Sequence, residues 1–287
     1  MWPAMSVDEY ASLEGRLGNR VVRSGRVWWR RVRPLFYRPL FPFEPLARPV
    51  AAAWPARLGG WQRPVAPEEP HNSHLNYTAF EALAAYDVSS LRRAERKTIR
   101  RAARWLELRR ITDLEEFVRE GHPLLQEFFS RTDYHFRRDR LRPAVFRHWA
   151  QGLIENPKVL VHGAYSCGRL CQVLTSFRVR DVIFFDVGFA GREGRQLGSI
   201  DGLFDHLRRQ AAATDAAFIC LGPAGAREEL DRFKLRRGAT VLCLPTRLHL
   251  NPVARLALRL CAPLTYKRVV GMDESASIDY ASLLPGA

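Results

Sequence analysis

Lysine is almost missing from this chain. Of 45 basic residues only Lys97, Lys158, Lys234 and Lys267 are lysines, and the other 41 are arginines. Codon usage in a GC-rich genome accounts for such a bias without any mechanism. A preference for planar, forked donors that grip phosphate and carboxylate accounts for it equally well. Cysteine is sparse and odd in number: Cys167, Cys171, Cys220, Cys243 and Cys261 lie mostly in apolar runs. That pattern suits reduced, buried thiols in a cytoplasmic protein better than a disulfide framework. The opening MWPAMSVDEY has neither a basic nor an apolar leader region, so no secretory signal is visible. No run of about 18 uncharged apolar residues exists, which excludes a spanning helix. Gly-x-Ser-x-Gly is absent, so nothing suggests a serine hydrolase. Cys167-x-x-x-Cys171 has no second pair at zinc-ligand spacing, and no metal site is expected. Repeats and low-complexity tracts are also lacking.

What is present is a globular composition, with 47% hydrophobic and 26% charged residues, which excludes wholesale disorder. The length suits two domains or one large one. The net charge of +15 is unevenly placed. Residues 16–63 hold eleven arginines against Glu44 alone, a local +10. Residues 91–110 hold eight arginines and Lys97 against Glu95 and Glu107, a local +7. The rest is close to neutral.

Ser6 and Glu9 fit a capping box for a first helix. Val21–Val22 and Val27–Val32 flank a Ser24-Gly25 turn and resemble a hairpin. Residues 33–70 contain nine prolines, which predicts an irregular, aromatic-lined wrap without a central strand. A helix is expected from Ser90. Its apolar side is Leu91, Ala94, Thr98, Ala102 and Trp105, with Ile99 and Leu106 beside it, and its other face is arginine-rich. After it the pattern predicts a strand at 106–111, a helix from Asp113 to about 131 interrupted near Pro123, and a helix at 143–155. Strands 158–165, 169–179 and 182–188 follow, joined by turns short enough for hairpins. A loop with Gly191, Gly194 and Gly198 leads to a helix at 200–213. A strand 216–221, a helix 225–237, a strand 239–248 and a helix 252–262 close the series, with a loose tail at 272–287.

The order β-α-α-β-β-β-α-β-α-β resembles the GNAT acyltransferase fold. LRRAERKTIRRA (91–102), GREGRQLGSIDGLFDHL (191–207) and ELDRFKLRRGA (229–239) are similar to segments of Fem-like and related GNAT-like N-acyltransferases. The likeness covers about 85–250. It implies an α/β (α+β) fold with a mixed sheet flanked by helices. An incomplete, proline-rich N-terminal half (1–88) would precede the acyltransferase domain (89–250), and a terminal helix and tail (251–287) would follow.

Arg195, Gln196, Gly198 and Ser199 follow the family's pyrophosphate pattern for its first four positions, and Ile200 departs from it where Gly or Ala is usual. A glycine turn opening a helix suits an anion, since free N–H groups and the positive helix end converge there. The resemblance places Lys234 at the substrate cleft, where it would neutralise a phosphate or an oxyanion; the plain alternative is a surface lysine. Asp186 interrupts the apolar strand VIFFDVG and is read as a general base or as a structural ion-pair partner. His162 is the second base candidate, Tyr165 a candidate acid, and His206 falls on the helix after the loop.

The resemblance implies a transferase moving an acyl or aminoacyl group from a phosphate-bearing carrier to an amine or hydroxyl. Acyl-CoA comes first as donor and aminoacyl-tRNA second, with no tightly bound cofactor. A non-catalytic polyanion or membrane-surface binder is the competing class. The basic stretches 16–63 and 91–110 are where tRNA or an anionic membrane would bind. The stretch 251–268, with Val253, Leu256, Leu260 and Leu264 beside Arg255, Arg259, Lys267 and Arg268, suits a membrane surface. Packing as a terminal helix is expected ahead of that. The expected location is cytoplasmic, with a membrane-peripheral variant open.

Overall fold

The computed structural model describes residues 2–46, 52–132, 137–225, 228–261 and 266. The tail expected at 272–287 lies outside them, as do Leu264, Lys267 and Arg268. Along the chain come β1 (Ala4–Met5), α1 (Val7–Arg16), β2 (Val21–Ser24), β3 (Val27–Arg33), β4 (Phe36–Pro39), β5 (Gly60–Pro64) and β6 (Ser73–Phe80). Next are α2 (Arg93–Trp105), β7 (Glu107–Arg110), α3 (Leu114–Arg131), α4 (Pro143–Ile154), β8 (Val159–Ser166), β9 (Arg169–Val179) and β10 (Val182–Ala190). The last are α5 (Arg192–Leu197), α6 (Ser199–Ala212), β11 (Phe218–Pro223), α7 (Glu228–Leu235), β12 (Thr240–Leu250) and α8 (Pro252–Cys261).

These elements form two compact units, each drawn from separate stretches of chain. One comprises Met1–Ser6, Ala79–Gly222 and Phe233–Thr240; the other comprises Val7–Thr78, Pro223–Arg232 and Val241–Ala287. The spans 1–88, 89–250 and 251–287 read from the sequence are continuous, whereas these units interleave, because β12 pairs with β5 nearly two hundred residues earlier.

In the first unit the strands lie in the order β7-β8-β9-β10-β11. β7 to β10 are antiparallel neighbours, and β11 is parallel to β10, as the helical crossover through α5 and α6 requires. β1 adds a parallel rung, Ala4↔Arg178 and Met5↔Val179. The helices cover the sheet with apolar faces: Leu203, Phe204 and Leu207 of α6 pack with Leu174, Ile183 and Ile219. On α3 and α4, Phe117, Phe146 and Trp149 pack at tilted angles with ring centroids 5.4–5.8 Å apart. Truncating one such fully buried ring costs about 3–5 kcal/mol.

In the second unit the order is β2-β3-β4-β5-β12, with β6 beside β12. Trp29 and Tyr37 are buried against Ala53 and Ala56. Buried Gln62 on β5 donates to Ser73 Oγ at 2.9 Å and Thr246 Oγ1 at 3.0 Å, which ties three strands of this sheet together.

Four local expectations are corrected. β4 and β5 both lie within the proline-rich stretch, and β5 is paired on both sides. Pro39 and Pro64 are the last residues of their strands, so the missing N–H groups fall at strand ends. α3 runs unbroken through Pro123. The residues expected as a glycine loop form the short helix α5. On α2 only Ile99 and Ala102 are buried, while Ala94 is exposed and Trp105 is 56% exposed, with the Arg104 guanidinium 5.2 Å from its ring centroid.

Candidate functional site

The first unit contains an opening in its sheet. β10 and β11 pair through three rungs, ending at Phe184↔Cys220. Beyond that rung β10 continues to Ala190 along β9, and Phe184 to Gly188 are only half-buried. The register slips between Phe185 and Val187, so Asp186 is the extra residue of a β-bulge. A bulge bends its strand and redirects a side chain, and bulges occur where a sheet must part beside a site. Asp186 therefore sits at the position where β10 leaves β11.

Lys234 marks the other side of the opening. It is 6% exposed, and its ammonium donates to the Leu221 carbonyl at 2.8 Å, one residue past the last rung on β11. α7 is thus placed to deliver its lysine to a strand end and not to solvent. A buried ammonium is costly unless held, and a fixed cation at a strand end can meet developing negative charge. Cys220, on the last rung, has its thiol pushed up to about 11 by burial, which makes it inert as a nucleophile at neutral pH. Cys171 is likewise raised, to about 12, by burial first and Glu193 second.

His162 does not join this pair. It lies on β8, separated from β10 by β9, in one row with Leu174 and Gly188. Its ring is buried and stands edge-on to His206 of α6, with centroids 5.3 Å apart. Burial, the neighbouring His206 and the Arg110 charge lower it to about 4, so the imidazole is neutral at pH 7. Tyr165 is also committed elsewhere. Its hydroxyl donates to Glu116 Oε1 at 2.7 Å, and burial together with that carboxylate raises its pKa.

The glycine segment has an internal purpose. A Cβ on Gly194 would fall onto the Cys171 carbonyl, and Gly191 N donates to that same oxygen at 3.0 Å. Gly198 has φ +77°, and a Cβ there would fall onto Thr98 of α2. These glycines let α5 lie on the sheet and α2 approach α6. Arg195 and Gln196 are exposed, whereas Ser199 is fully buried and its hydroxyl donates to Gln172 Oε1. Ile200 is half-buried against the core. At the start of α5 the Arg192 amide donates to Glu127 Oε1 at 2.6 Å, and Arg131 holds the Ala190 carbonyl. A carboxylate of α3 therefore occupies the start of α5, whereas the helix end at which the sequence suggests an anion is the start of α6, at Gly198 and Ser199.

The basic face of α2 borders this segment. Arg92, Arg93, Lys97, Arg100, Arg101 and Arg104 are exposed. Arg101 Nη2 comes within 3.6 Å of the point a Gly198 Cβ would occupy. Behind it, α6 and the 233–240 segment are locked by charge. Arg237 pairs with buried Asp201, with Nε 2.8 Å and Nη2 2.9 Å from its carboxylate oxygens. Arg208 lies between the Phe80 and Tyr86 rings at 4.3 and 3.7 Å. The Glu127 clamp and the Asp201–Arg237 pair escape sequence reading, since their partners are 65 and 36 residues apart. Gln172, a polar residue in an apolar strand, carries a visible signal. Among the described residues no group of three or more His, Cys, Asp or Glu side chains is placed to hold a metal ion.

No protein-family model matches the chain, and no curated protein matches it in sequence. Solved structures do match in fold. The C-terminal domain of a putative lysylphosphatidylglycerol synthetase from Agrobacterium fabrum aligns with TM-score 0.58 at 12% identity, over 90% of this chain and 95% of that one. FemX aligns with TM-score 0.58 at 9% identity, over 88% and 92%. The L-PGS of Bacillus licheniformis aligns with TM-score 0.57 at 13% identity, over 90% and 91%. The fold is the GNAT-like acyltransferase fold, a mixed sheet flanked by helices.

Proposed function

We propose that the protein is an aminoacyltransferase whose donor is aminoacyl-tRNA and whose acceptor is an amine or hydroxyl. The observation that carries this reading is the placement of α2. Its exposed arginines and the exposed Trp105 form a surface that runs up to Gly198, beside the glycine segment. Phosphodiesters suit such an arginine row, and an exposed aromatic among cations suits an unpaired base. The start of α5 supports the same choice over coenzyme A. Its first amide is engaged by Glu127 and the Ser199 hydroxyl by Gln172, so neither of these two donors is offered to a pyrophosphate. The two donors accordingly change order from that expected on sequence alone. The putative lysylphosphatidylglycerol synthetase of Agrobacterium fabrum, by name a maker of an aminoacylated product, lends the fold-level precedent.

In this reading the acceptor enters the opening between β10 and β11. Asp186 takes the proton from the acceptor N–H or O–H as its lone pair attacks the ester carbonyl of the donor. Lys234 faces the oxyanion that forms. The carbonyl returns as the ester C–O bond breaks, and the leaving ribose oxygen regains the proton. A positioned general base is worth roughly 10²–10⁴ in rate, and one oxyanion partner about 10²–10³.

The test is single-turnover loss of label from aminoacyl-tRNA, with a cell extract as the source of acceptor. Asp186→Asn and Lys234→Met should each slow transfer by about a hundredfold or more while tRNA binding is retained. Transfer at the wild-type rate in both variants would remove them from the mechanism.

A further inference from the structure

Helix α8 was expected to pack as a terminal helix, and the structure shows otherwise. None of its residues is buried. Ala254 and Leu258 are half-buried and mark the side turned to the protein. Val253, Leu256 and Leu260, at three- and four-residue spacing, are 76%, 58% and 71% exposed. At 100° per residue they share one stripe on the side away from Ala254 and Leu258. Arg255 and Arg259, also exposed, flank that stripe one turn apart.

Neighbouring segments carry exposed apolar side chains as well. Asn251, which precedes α8, donates its amide to the Gly59 carbonyl at 2.8 Å, and Gly60 donates to the Leu35 carbonyl at 3.1 Å. These bonds bring to the start of α8 a 3₁₀ turn at Trp54–Arg57 and the β3–β4 turn. Both present apolar side chains to solvent: Trp54 is 67% exposed, Leu58 52% and Leu35 44%. Arg57 beside them is exposed as well. Three separate chain segments of one unit thus combine exposed aliphatic and indole surface with guanidinium groups. Neither 52–61 nor 251–268 contains an Asp or Glu. Exposed apolar side chains grouped on neighbouring segments in this way mark an interaction surface.

We infer that this face of the second unit docks the protein on an anionic lipid bilayer, with α8 lying in the interface plane. The pattern meets what the bilayer surface asks of a protein. An apolar stripe enters the acyl boundary, arginines flank it at headgroup level, and a tryptophan sits where its amphipathic ring is favoured. The absence of acidic residues makes the face complementary to anionic headgroups, whereas a second copy would bring like charge against like charge. Among the described residues no helix is long and apolar enough to span, so the association is peripheral. This inference does not depend on the transfer reaction and stands or falls separately from it.

The experiment is co-sedimentation of the full chain with vesicles of phosphatidylcholine and phosphatidylglycerol at 3:1, and of phosphatidylcholine alone, over a salt series. Wild type should pellet with the anionic vesicles, less at high salt, and weakly with the neutral ones. Leu256→Glu/Leu260→Glu should lower the partition coefficient at least about tenfold, the effect of losing two membrane-buried apolar groups and adding two charges. Arg255→Glu/Arg259→Glu should abolish the preference for anionic vesicles. All four substituted positions are exposed, and an unchanged melting temperature verifies folding. Equal partition of wild type and the leucine variant would overturn the inference. So would absence of vesicle binding with a concentration-dependent dimer in sedimentation velocity, which would assign the face to a second copy. Retention on tRNA lost in the leucine variant, without vesicle binding, would assign it to nucleic acid and overturn it too.

Discussion

Individual side chains divide into those at the opening and those that only look catalytic. Asp186 is legible in sequence because a carboxylate in VIFFDVG breaks an apolar run, although the bulge that sets it beside the parting strands is not. Lys234 is conspicuous by rarity, but its buried bond to the Leu221 carbonyl depends on tertiary packing. His162 shows the opposite case: a histidine in a strand reads as a base candidate, yet it is enclosed beside His206. Its properties have a measurable consequence. The folded pKa is about 4 against an ordinary 6.5, so between those values the unfolded chain binds a proton that the folded chain does not. Stability from this site is complete above pH 6.5 and falls as pH drops toward 4, by up to about 3 kcal/mol. Melting temperature recorded from pH 4 to 7 should therefore fall less steeply in His162→Leu than in wild type. Identical slopes would mean that His162 is protonated in the folded protein.

At the scale of elements, periodicity carried far. The helices α1 to α4 and α6 and the strands β7 to β10 lie close to where apolar spacing and capping residues predict them, because the helices bury one apolar side and β8 and β9, buried on both faces, read as near-continuous apolar runs. In the proline-rich stretch and the glycine segment, the departure comes from contacts distant in sequence. Prolines argued against strands at 33–70, but pairing of β5 with β4 and β12 outweighs local preference once the prolines sit at strand ends. Three glycines suggested an open phosphate loop, and instead they permit α5 to lie on Cys171 and α2 to reach Gly198. The strain this would cause in any other residue can be tested there. Gly198→Ala places a side chain at φ +77° and against Thr98. It should cost about 1–3 kcal/mol, a fall of several degrees in melting temperature. Thr98→Ala in the same chain should recover the steric part and leave the backbone part. An unchanged melting temperature in Gly198→Ala would show that α2 does not approach as described.

For the molecule as a whole, the order of elements was enough to reach the GNAT-like fold, since that order is a property of the chain itself. The partition into units was not, because β12 returns to a sheet begun by β2 to β6, and nothing local signals a return over so many residues. The segregation of arginine proves informative on the same scale. One basic block supplies the exposed face of α2, beside the glycine segment of the first unit. The other lies in the second unit, with Arg57 next to exposed Trp54 and Leu58. The most direct test of the aminoacyl-tRNA reading is a thermal-shift comparison of bulk tRNA and coenzyme A at matched low salt. A ligand that binds only the folded state raises the melting temperature. The account requires a rise with tRNA that shrinks as salt increases and vanishes in Arg93→Glu/Arg100→Glu/Arg104→Glu, with no rise for coenzyme A. A rise with coenzyme A, and none with tRNA, would contradict it.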